Sequence, residues 1–379
     1  MHSAADFHGL EPTGASTLMP SDQSGVPPSS PTPRQRAKSS QATLEDVANH
    51  AGVSTASVSR MVKDPSSVSA KLRARIEASI NELGWVPHAA ARALATQSTR
   101  TIGAVFPTLA NEHFSTATQV IQQELEKLDY TLLLACSEYD AEREFRQARK
   151  MIERGVDAMV LVGDAHHPEL YPLLRTRGIP FVSTFTYRSG DDPICIGSDN
   201  FGMFYRATQY LLSLGHRSFA MLAQSTVMND RAAARREGVF AALAEEGLTI
   251  RPSHLAEGFS GVHQGRELFR QVAESNPRPT AVICGNGSFA MGAVLEAQAM
   301  GICVPSQMTI FGFDDFELMK ELPVAISTIR VPSQEIGRKA AHYLVKQLNP
   351  NLKTIEWHDK AECEAEIILR DSSGAPPSG

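Results

Sequence analysis

From Thr101 onward the chain alternates short, almost continuously apolar runs with longer amphipathic stretches, and nothing else in it constrains the fold as tightly. The apolar runs fall at residues 102–106, 131–135, 158–162, 181–184, 219–222, 281–284 and 309–311. Between most of them apolar residues return at helical spacing, as in 112–129, 142–153, 202–214, 230–246 and 289–300. A strand that is apolar at every position is covered on both faces, which requires a parallel sheet with helices on each side. The pattern lasts roughly 270 residues, long for one doubly wound unit and comfortable for two. The expectation is an α/β body over residues 100–371 that splits near Ser198 and returns to its first lobe around Ile329. Lobe 1 then holds residues 100–197 and 329–358, and lobe 2 residues 198–328 and 359–371.

Residues 42–86 follow a different rule. Thr43 is a good helix N-cap, followed by Leu44, Val47, Ala48 and Ala51 on one helical face. Gly52 breaks that helix. Ser54 caps a second short helix with Val58 and Val62 as its inward stripe, and Asp64-Pro65 ends it. Ser69 caps a third, with Leu72, Ile76, Ile80 and Leu83 inward and Gly84 as its C-terminal stop. Two short helices across a tight turn, closed by a third, form a helix-turn-helix head. Around it, residues 1–41 contain seventeen Ser, Pro or Gly and read as a disordered tail ending in the basic cluster Arg34, Arg36 and Lys38. Residues 87–99 read as a linker, helical only when something holds it, and residues 372–379 as a second disordered tail.

Charge separates the same segments. Residues 34–100 carry ten Lys/Arg against five Asp/Glu, residues 101–379 carry 26 against 34, and the first 33 contribute three acids alone. A basic head on an acidic body suits a polyanion-binding module joined to a domain with another task. With Val58 and Val62 inward, Thr55, Ala56, Ser59, Arg60 and Lys63 lie on the outer face of the second helix. Short polar side chains around one Arg fit the major groove, where Arg60 can hold guanine O6 and N7 in a bidentate pair. Thr43, Ser54 and Ser69, at helix starts, would position phosphates.

Other classes find little support. No run approaches the roughly 18–20 apolar residues of a membrane span. Residues 1–10 hold Asp6 and two histidines rather than a signal-peptide core, so the reading is cytoplasmic. Five scattered cysteines without a C-x-x-C motif read as ordinary buried thiols, neither zinc site nor disulfide framework. Gly285-Asn286-Gly287 follows a strand and precedes a helix, but Ala290 stands where a dinucleotide loop has its third glycine and Gly292 comes too late. Walker A, G-x-S-x-G and H-E-x-x-H motifs are absent, and His166-His167, before a proline, reads as a solvated pair. The sequence implies no enzyme, no cofactor and no metal. The alternative is the solute-binding protein of a sugar transporter, which needs export and has no use for the head.

The stretch Thr43-Leu-Glu-Asp-Val-Ala-Asn-His-Ala-Gly-Val-Ser-Thr-Ala-Ser-Val-Ser-Arg60 resembles the helix-turn-helix of the LacI/GalR family of bacterial repressors. Val68-Ser69, Leu83-Gly84-Trp85-Val86-Pro87 and Ala91-Arg92-Ala93-Leu94-Ala95 are similar to its third helix and hinge. In the body, Ile102-Gly103, Asp199-Asn200, Leu214-Gly215-His216-Arg217, Arg235 before Gly238, Gly312-Phe313-Asp314-Asp315 and Ser327-Thr328-Ile329-Arg330 continue the likeness to about residue 371.

The resemblance implies a homodimer whose two recognition helices read a near-palindromic operator in double-stranded DNA. Leu94 takes the hinge position that wedges into the minor groove, although His88 replaces the Asn usual after the hinge proline. Ala56 lacks a hydrogen-bonding group, which shifts base readout to Thr55 and Arg60. The body resembles the periplasmic sugar-binding fold, with a small carbohydrate-like effector between the lobes. Phe114 would pack on it from lobe 1, Arg231, Arg235 and Asn286 would meet it from lobe 2, and Phe259 would stack on a ring. Position 287 is Gly where the family usually has a sugar-clamping Asp, which favours an acidic ligand such as a sugar acid. The C-terminus has no leucine heptads, so the tetramerising helix of one branch is missing and a dimer is expected.

Overall fold

The computed structural model describes residues 42–86, 98–188, 194–352 and 361–377. The chain divides into two compact units, Met1–Pro87 and His88–Gly379. Leu94 and the tail 1–41 lie outside the described residues.

The first unit contains α1 (Leu44–His50), α2 (Thr55–Lys63), a 3-10 turn at Pro65–Ser67 and α3 (Ala70–Leu83). Each helix starts on a hydroxyl. Thr43 Oγ1 accepts from the Asp46 N–H while Asp46 Oδ2 accepts from the Thr43 N–H at 2.8 Å, a reciprocal capping box. Ser54 and Ser69 cap α2 and α3, and Gly84 closes α3 in the left-handed region at φ 59°. The core is Val47, Ala48, Ala51, Val58, Met61 and Ile76. Here the structure corrects the expected stripe of α2: Met61, not Val62, is the buried partner of Val58, and Val62 is only half-buried. Positions 61 and 62 flank the inward direction from Val58, and the longer, unbranched Met side chain reaches the centre.

The second unit contains two parallel sheets. The first has the order β2-β1-β3-β4-β5, from β1 (Thr101–Phe106), β2 (Thr131–Cys136), β3 (Ala158–Val162), β4 (Phe181–Thr184) and β5 (Cys195–Ile196). Side chains alternate across it. Ala158, Val160 and Val162 face α4 (Glu112–Lys127) and α12 (Ser333–Leu348), whereas Met159 and Leu161 face α5 (Ala141–Glu153) and α6 (Leu170–Thr176). The second sheet has the order β7-β6-β8-β9, from β6 (Phe219–Gln224), β7 (Leu255–Gly258), β8 (Ala281–Cys284) and β9 (Thr309–Phe311). It is covered by α7 (Asn200–Ser213) and α8 (Asp230–Glu245) on one face, and by α9 (Val262–Ala273) and α10 (Gly287–Ala299) on the other. A short α11 (Leu318–Glu321) follows β9, and β10 (Thr328–Arg330) pairs antiparallel with β11 (Glu366–Ile368).

Among the described residues, three segments pass between the sheets, at residues 197–199, 330–332 and 363–365. Cys363 packs in the core of the first sheet and Cys363 N–H donates to Gly197 O at 2.8 Å. Residues 361–363 therefore sit with lobe 1, not lobe 2 as expected. The tail expected to be disordered at 372–379 is also corrected through residue 377. Ser372 is fully buried, its carbonyl accepts from Ile310 N–H at 2.9 Å, and Gly374 O accepts from His216 Nε2 at 2.9 Å. Ser and Gly read as coil by composition, but their backbone groups satisfy the open edge of β9. Cys303 is exposed rather than a buried thiol.

Candidate nucleic-acid face and ligand cleft

In the head, Thr55, Ala56, Ser59, Arg60 and Lys63 are all exposed on one side of α2, opposite Val58 and Met61. The three serine and threonine hydroxyls expected to meet phosphates are exposed residues already serving as caps: Ser54 Oγ accepts from Ser57 N–H at 3.2 Å, and Ser69 Oγ from Leu72 N–H at 3.4 Å. They hold the helix starts in place, where first-turn amides and the positive dipole end attract anions.

In the body, a narrow cavity of about 30 Å³ lies beyond the C-terminal ends of both sheets. Loops that leave parallel strands converge there by construction. It brings together Phe114, Arg231, Arg235 and Asn286, four of the five effector residues expected from sequence. Phe259, the fifth, does not line it and is 70% exposed on the turn after β7.

Arg235 is the best-held group. It is 5% exposed, donates to Asn200 Oδ1 at 2.9 Å and to Gln224 Oε1 at 3.0 Å, and lies 4.7 Å from the Phe313 ring centre. Burial pulls its ordinarily very high pKa down to about 10, so it stays charged near neutrality. Its Nε is buried without a hydrogen-bond partner, as is Nδ2 of Asn286. The other end of that amide caps α10, accepting from Phe289 N–H at 2.9 Å. Arg231 donates to Asp230 Oδ1 at 3.0 Å and runs across Gly163 of lobe 1, where any Cβ would strike the guanidinium. His166, expected to be solvated, is instead buried under this crossing, with Nδ1 on Glu144 and Nε2 on Gly163 O at 3.0 Å.

Asp314, His113, Asn200 and Gln224 line the cavity too, and the sequence reading assigned none of them to it. Asp314 had a signal: it sits in Gly312-Phe313-Asp314-Asp315 directly after β9. It and Asp315 adopt left-handed backbone at φ 84° and 57°, conformations held only against a local cost. Asp315 holds them by pairing with Arg330 at 2.8 Å and with Arg370 at 2.6 Å. Asp314 Oδ2 accepts from Gly287 N–H at 3.0 Å. A Cβ on Gly287 would meet the Phe316 ring at 2.7 Å and Phe313 O at 2.9 Å, so this packing admits no side chain at 287. Among the described residues no group of three or more His, Cys, Asp or Glu is placed to hold a metal, and no helix is long and apolar enough to cross a membrane.

A helix-turn-helix head on a two-lobed α/β body with a polar cleft is the build of a ligand-responsive DNA-binding regulator. Residues 43–88 match the profile of bacterial regulatory proteins of the lacI family, and residues 99–367 that of periplasmic binding proteins and the sugar binding domain of the LacI family. The chain belongs to the LacI family: it is a DNA-binding transcriptional regulator with an effector-binding domain. It is 29% identical to the HTH-type transcriptional regulator GntR of Escherichia coli K12 over 82% of this chain and 93% of that one. It is 28% identical to the HTH-type transcriptional repressor PurR of Yersinia pestis over 84% and 95%. A LacI-family regulator from Silicibacter pomeroyi superposes with a TM-score of 0.78 at 28% identity, over 87% of this chain and 99% of that one. The Lac repressor dimer bound to operator shares the fold, with a TM-score of 0.76 at 22% identity, over 88% of this chain and all of that one. These relatives are regulators by name, and the transporter alternative gains nothing from a chain whose head matches the family profile.

Proposed function

We propose that this chain is a cytoplasmic repressor that binds a near-palindromic operator as a homodimer, and that a sugar acid held between its lobes changes its operator affinity. The observation that carries the acidic reading is the surplus of buried donors. Arg231 and Arg235 face the cavity, Arg235 Nε and Asn286 Nδ2 have no partner, and Asp314 is the carboxylate set among them. Paired guanidinium forks fit a carboxylate and its neighbouring hydroxyls, while Gly287 adds no competing charge.

The head supports DNA readout by Thr55, Ala56, Ser59, Arg60 and Lys63, with Thr43, Ser54 and Ser69 placing phosphates; by family resemblance alone, Leu94 of the linker would wedge the minor groove. One helix of nine residues covers a single half-site, so specificity calls for a two-fold pair. Strand β2 supports that pairing: it is an edge strand, its leucines are only half-buried, and no position in it is fully covered.

Calorimetry of the full chain against C5 and C6 aldonates and the matching neutral sugars tests the effector reading. Aldonate binding that shifts operator affinity supports it; tight binding of neutral sugars with none of the acids overturns it.

A further inference from the structure

The cleft holds two groups that face each other across the lobes and satisfy neither. His113 stands in the first turn of α4 in lobe 1, and Asp314 on the loop after β9 in lobe 2. Nδ1 and Oδ1 lie 3.2 Å apart, with the side chains 12% and 0% exposed. Their orientation gives no hydrogen bond, so each atom is buried without one. Rings surround the imidazole: Phe114 at 4.0 Å and Phe185 at 5.3 Å from lobe 1, Phe316 stacked at 6.1 Å from lobe 2. One residue away, Glu112 Oε1 and Oε2 accept from Glu317 N–H at 3.2 Å, so the start of α4 meets lobe 2 at two adjacent points.

The charged groups that face His113 are few. Asp314 draws a proton to it; Arg235 and Arg231, from α8, repel one. Burial is the largest influence and, with the two arginines, outweighs Asp314, holding the ring below the usual imidazole range and neutral at pH 7. Tyr139 also lines the cavity, and Asp230 is already engaged by Arg231.

We propose that His113 is a proton-linked latch that makes the cleft selective for anions: an acidic effector seated on Arg231 and Arg235 brings a proton from solvent onto His113, and the imidazolium then pairs with Asp314 to hold the lobes together. This rests on the acidic-effector reading above. The effector's carboxylate cancels the two repulsive guanidinium charges and leaves Asp314 unopposed. A neutral sugar cancels nothing, so it closes the cleft without the extra cross-lobe ion pair. Because a proton is taken up with the effector, affinity rises as pH falls, by up to about tenfold per pH unit for one full proton.

The test is calorimetry of the full chain with C5 and C6 aldonates and their neutral counterparts, from pH 6 to 8, in two buffers of different ionisation enthalpy. Aldonate binding should take up a proton and tighten as pH falls, and His113→Gln should bind with no uptake and a flat pH profile. If His113→Gln fails to fold by thermal melt, His113→Phe, which preserves the ring packing, carries the same comparison. Aldonate binding without proton uptake, or uptake that persists in the variant, overturns the latch and leaves the acidic-effector reading standing. Tight binding of neutral sugars with none of the aldonates overturns both.

Discussion

The Gly287 N–H donates to Asp314 Oδ2 at 3.0 Å, tying the start of α10 to the loop after β9. The cleft carboxylate at this junction is thus Asp314, from the loop after β9, and the start of α10 supplies a backbone donor to it. The prediction is that Gly287→Asp both destabilises the body and repels an acidic effector. Its Cβ would press on Phe316 and Phe313 O, and overpacking of this kind costs about 1–3 kcal/mol. Urea unfolding should show that loss with the slope unchanged, and aldonate affinity should fall at least tenfold. A variant as stable as the parent would show that the Phe316 contact yields freely.

Arg235→Met tests the cleft's best-held donor. The substitution keeps much of the stem volume but leaves Asn200 Oδ1 and Gln224 Oε1 without their guanidinium. Charge-assisted hydrogen bonds contribute about 1.5–3 kcal/mol, so effector affinity should drop roughly 10- to 150-fold. Operator binding without effector should be retained, and fluorescence anisotropy alongside calorimetry separates the two effects.

Acid should weaken the body before it weakens the head. His216 is held neutral in the fold: its Nε2–H donates to Gly374 O, its Nδ1 lies 2.9 Å from Thr280 Oγ1, and burial depresses its pKa. A depressed histidine stays neutral in the folded state while the unfolded chain takes up protons below about pH 6.5. Stability is therefore fully present above that pH and is lost as pH falls below it, at up to about 1.4 kcal/mol per unit for one such group. His113, depressed by the same cause, adds to the slope. Chemical denaturation from pH 7.5 to 5.5 should show the decline, shallower in His216→Gln; an unchanged slope would remove His216 from the account.

The head should depend on its first cap. Thr43→Ala removes the hydroxyl that accepts from Asp46 N–H and half of the capping box. N-cap losses of this type cost about 0.5–2 kcal/mol. The melting transition of the head should fall accordingly, and operator affinity should weaken through the loss of folded α1 and of the phosphate placed at its start.

Much of this architecture is legible in the residues, because long apolar strands and well-capped helices carry their own periodicity. Strands β3 and β8 announce themselves as runs apolar at every position, and β1 does so after Thr101. Strands β5, β10 and β11 do not: two or three residues long, they are held by neighbours distant in sequence, as Ile329 is by Ile367. Met61 was hidden because helical spacing allows either i+3 or i+4, and side-chain length decided between them. The C-terminal residues 372–377 look like coil because their order comes from backbone bonds to β9, which composition does not encode. In the cleft, Arg231, Arg235 and Asn286 could be placed by motif, whereas His113 and Asp314 gain meaning only when the lobes bring them to 3.2 Å. Phe259 misled because an aromatic beside a glycine-rich turn looks the same in sequence whether it faces a ligand or solvent.

The central claim is that the outer face of α2, led by Thr55 and Arg60, reads operator bases. Fluorescence anisotropy of the full chain on a duplex selected from random sequence, at fixed salt, tests it most directly. Arg60→Ala should weaken binding to the selected duplex by roughly 5- to 150-fold, the span of about 1–3 kcal/mol for one bidentate base contact. Its affinity for random DNA should change little and the melting of the head not at all. Occupancy of the selected duplex equal to that of the parent chain would contradict the account.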